Sequence, residues 1–480
     1  MGPHRIRPGH RLALGVSILT VALAASPVFA AIEARLVRDV AAGGSDLLVS
    51  GTPVAMGSTL FFIGDDRTNG YELWKSDGTS DATAMVKEIN PAGDGVQSEL
   101  AVLGSTVFFV GVDANGSELW KSDGTADGTV MVKDINPTGD SGPQRFAAIG
   151  STLYFAADDG VHGQELWKSD GTSDGTVMVK DINPAGDSGS ANFAAFGSIA
   201  LFQAGSGGTG IELWRTDGTS DGTYLVKDVD PGPGPSNPYG FTVLGSNAIF
   251  AACTAATGCE LWKTNGTASG TVLVRDIEPG ADSSLPGAFV KLGRALYFSA
   301  YSTTYGTELW KTTGSRSGTG LVKDINPNGA SSEPASLTVV GTTLYFSAQG
   351  SDGSRDLWKT TGTARRTVPV TNINTSGDDR IWWIAAVGST LYFSADDGTT
   401  GLEPWRSDGT AAGTALVTDI AGGGGSGSEN QLATPVATGL FLLAATPAHG
   451  RELWRIADYP SGAIASSGSP PGRDRRHRPH

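Results

Sequence analysis

Short apolar runs alternate with polar, glycine-containing turns along most of the chain, and the runs come in groups of four. The clearest group has apolar runs at residues 146–150, 151–157, 164–169 and 176–182. Each run has about the length of a typical strand. The connections contain Gly-Ser and Asp-Gly pairs, which favour tight hairpins. The pattern therefore predicts a four-stranded antiparallel meander.

The same unit recurs along the chain. Its marker is a tryptophan, usually preceded by Glu-Leu, at intervals of 46 to 49 residues: Trp74, Trp120, Trp167, Trp214, Trp262, Trp310, Trp358, Trp405 and Trp454. Four-stranded repeats of about this length are typical of β-propeller blades. Leu153, Tyr154 and Phe155 are consecutive and apolar, so neighbouring blades are expected to cover both faces of each sheet. The sequence thus predicts an all-β propeller of nine blades.

The two ends of the repeat region complement each other. Residues 35–40 match the fourth strand of a unit but precede any first strand, whereas the ninth unit stops after its third strand near Ile456. Pairing the early strand with the last hairpin would complete the ninth blade and leave no exposed sheet edge. We therefore predict a single closed ring. Two fused smaller propellers are the alternative.

The N-terminal residues have the pattern of a secretory signal. Three arginines precede an apolar run at residues 12–25, and small residues precede a cleavage site after Ala30. We expect a signal peptide at 1–30, the propeller at 31–458 and a disordered Ser/Pro/Arg-rich tail at 459–480. The apolar run is too short for a membrane span. The expected location is the periplasm or the extracellular medium.

Charge and cysteine content narrow the partners. The formal net charge is -15, and so acidic a surface repels nucleic acid, which is not an expected partner. We expect a monomer. The only two cysteines, Cys253 and Cys259, flank a short hairpin loop. In an exported protein, this spacing favours a disulfide.

The string ELWKSDGT occurs at residues 72–79, 118–125 and 165–172, and variants begin at Glu212 and Glu403. These strings resemble the ELWxxDGT repeat family of bacterial exported proteins. The resemblance covers nearly all of the chain after residue 30 and implies propeller-type repeats, but no activity and no binding residues. Departures from the motif include Asp356, which replaces its Glu, and Thr313 and Thr361, which replace its Asp.

The repeated charges favour a structural role. A basic residue follows the tryptophan in all nine units, from Lys75 to Arg455, and an acidic residue precedes the tryptophan by two positions. Positions that recur in every blade are explained by what every blade needs, namely hydrogen bonds and ion pairs within and between blades.

Calcium is the cation that the aspartate-containing loops would suit. It takes six to eight oxygen ligands, too many for a single DGT turn. The better candidates lie in two hairpin loops, on the same face as the inter-blade loops that contain Asp140 and Asp187: Asp158, Asp159, Asp396 and Asp397. This metal site is a hypothesis.

Departures from the repeat are the best guide to a ligand site. Trp382 and Trp383 are additional aromatics at the start of a first strand, beside Asp378, Asp379 and Arg380. Aromatic rings next to carboxylates are typical of sugar-binding platforms. The alternative is that the two tryptophans cap the core.

These observations favour a binding protein over an enzyme. The leading hypothesis is a secreted scaffold whose loop face meets a polysaccharide or a cell-surface protein. The rival is a carbohydrate-active enzyme with two non-repeat carboxylates about 5 to 9 Å apart at the channel mouth. A purely structural envelope or matrix component is the third hypothesis, which the uniformity of the blades favours.

Overall fold

Each predicted repeat folds as a four-stranded antiparallel sheet, and the described residues contain nine such sheets. The structure is a computed structural model that describes residues 2, 31–41, 44–428 and 433–459. Residues Ile32–Ala457 form one compact unit. The other unit, Met1–Ala31 with Asp458–His480, is described only at four positions. Apart from Gly2 and Tyr459, the predicted signal peptide and tail lie outside the described residues.

The strands follow the chain in a simple order. The first is β1 (Ala31–Arg38). Blades 1 to 4 then comprise β2 (Leu48–Met56), β3 (Thr59–Asp65), β4 (Tyr71–Ser76) and β5 (Ala84–Lys87); β6 (Val96–Leu103), β7 (Thr106–Asp113), β8 (Gly116–Ser122) and β9 (Val130–Lys133); β10 (Gln144–Ile149), β11 (Thr152–Asp158), β12 (Gln164–Ser169) and β13 (Val177–Lys180); β14 (Ala191–Phe196), β15 (Ile199–Gly205), β16 (Ile211–Thr216) and β17 (Tyr224–Lys227).

Blades 5 to 9 repeat the pattern. They comprise β18 (Tyr239–Leu244), β19 (Asn247–Thr254), β20 (Gly258–Thr264) and β21 (Val272–Arg275); β22 (Gly287–Leu292), β23 (Ala295–Ser302), β24 (Gly306–Thr312) and β25 (Gly320–Lys323); β26 (Ala335–Val340), β27 (Thr343–Gln349), β28 (Arg355–Thr360) and β29 (Val368–Thr371); β30 (Ile384–Val387), β31 (Thr390–Asp396), β32 (Leu402–Ser407) and β33 (Ala415–Leu416); β34 (Ala433–Val436), β35 (Gly439–Thr446) and β36 (Gly450–Tyr459). A short 3-10 helix, η1 (Ala364–Arg366), lies between β28 and β29.

The predicted closure of the ring is confirmed. The ninth sheet has the order β1-β36-β35-β34, so the early strand completes the last blade. The Arg38 guanidinium donates to the Thr83 carbonyl of blade 1 at 2.6 Å, and Arg455 donates to the Asp77 carbonyl at 3.2 Å. Each first strand contacts the first strand of the next blade, and β34 contacts β2. The nine blades form a single closed propeller, not two fused ones.

The core lies between neighbouring blades. Phe155 packs in one cluster with Phe108, whereas Tyr154, on the other face of the same strand, packs in a second cluster with Phe202. All four side chains are buried. Because each sheet is covered on both faces, consecutive strand residues are apolar, as the sequence predicted.

In six blades the residue after the tryptophan is a lysine that links its blade to the next one. The Lys75 ammonium donates to the Gly124 carbonyl of the next blade at 2.6 Å, and Lys121 donates to Gly171 at 2.7 Å. These hydrogen bonds agree with the structural role predicted for this position.

The antiparallel meander places its connections on two faces of the ring. We call the face with the first-to-second and third-to-fourth connections the turn face, and the face with the second-to-third hairpins and inter-blade loops the loop face. Cys253 and Cys259 are direct partners across a loop-face hairpin and are joined by a disulfide. No helix among the described residues has the length and hydropathy needed to cross a bilayer.

Candidate functional site

The first strands of seven blades carry a bulge near the loop face. The register with the second strand shifts there, and one residue at each bulge has a positive φ: Gly51, Glu99, Arg145, Asn192, Gly240, Ala288 and Ser336. A non-glycine residue in this conformation costs about 1–2 kcal/mol. Such strain is held by the surrounding structure and is often found at functional sites. In the described parts of blades 8 and 9, the first and second strands pair without such a shift.

Two adjoining cavities lie along these bulges. One of about 480 Å³ is lined by the first strands of blades 1 to 4, and one of about 430 Å³ by those of blades 4 to 6. Both include Asn192 and Phe193 in their lining. Because four successive first strands border a single cavity, and the first strands form the innermost ring, the cavities belong to the central channel.

A row of phenylalanines follows the bulges in blades 3 to 6. Phe193 stacks on Phe202 with ring centroids 5.3 Å apart. Phe241 and Phe289 pack on second-strand phenylalanines with tilted rings, and Phe146 meets Phe155 edge to face. All four are half-buried and line the two cavities. Packing against the core fixes the position of each ring while leaving part of it open to the channel.

Polar groups alternate with these rings. The Glu99 carboxylate accepts the Phe146 backbone N–H of the next blade at 3.0 Å, and the Asn192 amide donates to Gln203 Oε1 at 2.9 Å. Arg145 is exposed, and its side chain makes no hydrogen bond or ion pair with the described residues. A half-apolar lining with a few oriented polar groups is typical of ligand sites.

The structure separates the two predicted platform tryptophans. Trp383 packs against the core cluster between blades 8 and 9, whereas Trp382 is 45% exposed. Trp383 therefore packs as the core-capping alternative describes, whereas Trp382 presents its ring to solvent. The neighbouring carboxylates differ in the same way, because Asp378 is exposed and Asp379 is fully buried.

The buried Asp379 belongs to a hydrogen-bonding arrangement that recurs in every blade. In blade 2, Glu118 accepts the backbone N–H of Ile135 at 2.8 Å and that of Ser141 at 3.1 Å, and the Ser141 hydroxyl donates to it at 2.6 Å. Glu118 is completely buried. The glutamate of the ELW triplet thus fastens the following inter-blade loop to its blade, which explains why the residue recurs.

Blade 7 builds this fastening from different residues. Its triplet begins with the shorter Asp356, and the loop position held by Ser332 in blade 6 is occupied by Asp379. The Asp379 carboxylate accepts the N–H groups of Ile373 at 3.0 Å and Asn374 at 2.6 Å. Burial raises the pKa of Asp379 to about 6, and the nearby Asp356 adds to the rise. Asp379 is therefore a structural group and not part of an open binding platform.

The carboxylates predicted to bind calcium are engaged within their own loops. Asp159 accepts the His162 backbone N–H at 3.0 Å, and its second oxygen lies 2.8 Å from His162 Nδ1. Asp158 accepts Gly160 N–H, Asp397 accepts the N–H of Thr400, and Asp396 accepts Gly398 N–H and pairs with Arg380. Within the described residues, no three His, Cys, Asp or Glu side chains are grouped in a way that could hold a metal ion.

The inter-blade loops contact the second-to-third hairpins on the loop face, as expected. Asp187 accepts the Gln164 backbone N–H at 2.8 Å, and Asp140 accepts that of Ser117 at 2.8 Å. Each of these aspartates therefore ties an inter-blade loop to the hairpin of the preceding blade. The aspartates shape turns, and the calcium hypothesis gains no ligand set from them.

Comparisons with known proteins concern the fold. No family model matches the chain, and neither does any curated protein sequence. Among solved structures, it is similar to a puromycin hydrolase (12% identity, TM-score 0.38, 73% of this chain and 58% of that one) and to prolyl endopeptidases (12%, 0.41, 77% and 55%). It is also similar to the β-propeller domain of the Trilobed protease from Pyrococcus furiosus (10%, 0.37, 68% and 99%). The chain spans little more than half the length of the first two.

Proposed function

We propose that this protein is a non-enzymatic binding scaffold of the exported ELWxxDGT type and that its central channel receives a polysaccharide. The observation that carries the proposal is the row of half-exposed phenylalanines in four consecutive blades, interleaved with Glu99, Arg145 and Asn192 around two adjoining cavities. Sugar rings present apolar faces and hydroxyl edges. Fixed aromatic rings and oriented polar groups complement both.

The carboxylates in the channel support binding over hydrolysis. Glycosidic bond hydrolysis commonly uses two carboxyl groups about 5 to 9 Å apart. Of the described residues that line the two cavities, Glu99 alone carries a carboxylate. The repeated glutamates are buried and accept backbone hydrogen bonds, so a substrate does not reach them.

The proposal includes export, for which the sequence pattern of residues 1–30 is the support. N-terminal sequencing of the protein recovered from a bacterial expression host tests it. A mature chain that begins at Ala31 is the expected result, and an intact N-terminus in the cytoplasm would contradict it.

The channel is tested with a variant that preserves the backbone. Arg145→Gly/Asn192→Gly removes two channel side chains at positions where the φ angles are 63° and 57°. Glycine adopts this conformation readily, and Gly240 occupies the equivalent position in blade 5, so the variant is expected to fold. We expect a neutral polysaccharide to raise the melting temperature of the original protein, and the variant to lose that rise.

Trp382→Ala is the matched control, since it removes the exposed ring on the loop face. It is expected to keep the polysaccharide-induced rise. Loss of the rise in Trp382→Ala but not in the channel variant would place the ligand on the loop face and overturn the channel proposal. No rise with any polymer would favour a purely structural role.

A further inference from the structure

The turn face is unevenly charged. In blades 1 to 4, each connection between third and fourth strands carries two aspartates: Asp77 and Asp81, Asp123 and Asp127, Asp170 and Asp174, Asp217 and Asp221. The equivalent connections of blades 5 to 7 carry none. Asn265, Thr313 and Thr361 replace the first aspartate, and Arg365 stands where blades 1 to 4 have the second.

Five cations concentrate on this face in blades 6 and 7: Lys291, Arg294, Arg316, Arg365 and Arg366. We call them the cationic arc. All five are exposed, and their side chains make no hydrogen bond or ion pair with the described residues. Each departs from the repeat. Arg294 stands where the eight other blades have Ser or Thr, and Lys291 stands where seven of them have Ala or Val. The repeat therefore does not require them.

The neighbouring repeated lysines add to the imbalance. Lys75 of blade 1 reaches the blade 2 turn that contains Asp123. The hydrogen bond from Thr125 is the main cause that holds the pKa of the Asp123 carboxyl below its usual value, and the Lys75 charge adds to it. Lys311 of blade 6 donates to the Gly362 carbonyl of blade 7 at 2.7 Å in the same way, but this blade 7 turn begins with Thr361 in place of an aspartate. The lysine charge is therefore balanced by a turn aspartate in blade 2, whereas the corresponding turn of blade 7 has no aspartate to balance it.

We propose that the cationic arc is a second binding surface, for a carboxylate-bearing polysaccharide such as a polyuronate. Four of its five members are arginines, whose planar guanidinium groups bind carboxylates through paired hydrogen bonds. A chain that presents spaced carboxylates along its length can contact several of them at once. The cationic arc contains no channel residue, so this proposal can be tested independently of the channel proposal.

Two competing partners are less well matched. The net charge of -15 opposes the binding of every polyanion. It opposes nucleic acid most, because a duplex carries one charge per roughly 1.7 Å, a higher charge density than that of a polyuronate with one carboxylate per sugar ring. The aspartate-rich half of a second copy is the other candidate. Its turn aspartates already face lysines of their own chain, as Asp123 and Asp170 do, and are correspondingly weaker partners.

The test is electrophoresis of the complete mature protein in native gels that contain polygalacturonate, with dextran gels as the neutral reference. We expect retardation by polygalacturonate at low salt, and its loss as salt rises from about 10 mM to 1 M, because the screening length falls from about 30 Å to 3 Å. Arg365→Ser/Arg366→Ser is expected to weaken the apparent affinity about fivefold, as for two exposed ion pairs.

Arg67→Ser/Arg355→Ser is the charge-matched control. It removes two cations from the loop face and is expected to leave the retardation unchanged. Equal weakening in both variants would show that net charge alone drives the binding, and absence of retardation at low salt would also overturn the proposal. Stronger retardation by duplex DNA than by polygalacturonate would indicate that the partner is nucleic acid and not a polysaccharide. If sedimentation shows a salt-sensitive dimer and no polymer binds, the partner of the cationic arc would be a second copy of the chain.

Discussion

Asp379 accepts in blade 7 the two backbone hydrogen bonds that Glu308 accepts in blade 6. Glu308 reaches from the third strand to the N–H groups of Ile325 and Asn326, both at 3.1 Å. Asp379 lies in the inter-blade loop and accepts those of the equivalent Ile373 and Asn374. The carboxylate has thus changed its position in the sequence while keeping its place in the fold.

This exchange predicts a rescue. Asp379→Ser alone should lower the free energy of unfolding by about 2 kcal/mol or more, because two buried N–H groups lose their acceptor and Asp356 is too short to replace it. Asp356→Glu/Asp379→Ser recreates the pair found as Glu308 and Ser332 and should recover most of the loss. Denaturant unfolding of both variants and the original protein measures the difference.

The neighbouring aspartate provides the control for that rescue. Asp378 accepts the Arg355 backbone N–H at 2.8 Å, and the equivalent Ser331 hydroxyl accepts that of Thr307 at 2.9 Å. Asp378→Ser should therefore be nearly neutral. If the double variant is no more stable than Asp379→Ser, the two fastenings are not interchangeable.

A second prediction concerns pH. Burial raises the pKa of four ELW-type glutamates from 4.5 to about 7: Glu72, Glu308, Glu403 and Glu452. Between these values the folded chain binds more protons than the unfolded chain, so the free energy of unfolding should fall as the pH rises from about 4.5 to about 7. Melting temperatures measured across this range test the direction.

Glu403→Gln isolates one of these groups. The substitution replaces a titrating carboxyl with a neutral amide, so the stability of the variant should decline less steeply as the pH rises. Stability that increases steadily from pH 4.5 to 7 in the original protein would contradict the prediction, since it would mean that these carboxyl groups are ionised more readily in the folded state.

A third prediction concerns the closing strand. Removing residues 31–41 deletes β1 and the Val40 and Ala41 N–H groups that donate to Glu452, at 3.0 and 2.9 Å. The shortened protein should have a lower melting temperature and aggregate as its concentration rises, because β36 becomes an exposed edge. Light scattering follows the aggregation. Adding a synthetic peptide of residues 31–44 to the shortened protein is expected to restore its melting temperature. If removal of residues 31–41 leaves the melting temperature unchanged, the role of β1 is refuted.

The architecture was largely predictable because it depends on local, repeated signals. The tryptophan period gave the number of blades, and Asp-Gly and Gly-Ser pairs marked the turns. The match between residues 35–40 and a fourth strand predicted the closure. Fourth strands proved shorter than expected, since β13 contains only four of the residues from 176 to 182.

The site was less predictable because it depends on which way individual side chains point. Asp378 and Asp379 are adjacent and chemically identical, yet one is exposed and the other buried. The shortened Asp356 was the available signal, since a missing methylene in a repeated group calls for compensation nearby. The bulges at Arg145 and Asn192 were not predicted, because no glycine marks these two positions of positive φ.

The sequence separation of the contacts has a consequence for how the protein folds. Hydrogen bonds between neighbouring blades join residues about 50 positions apart, such as Lys75 and Gly124, whereas those that close the ring join residues 412 apart, such as Val40 and Glu452. Eight blades can therefore assemble in succession from nearby partners. Their curvature brings the two ends together, so the final step is the docking of one strand into a preformed gap, without a search through the conformations of a long unfolded loop.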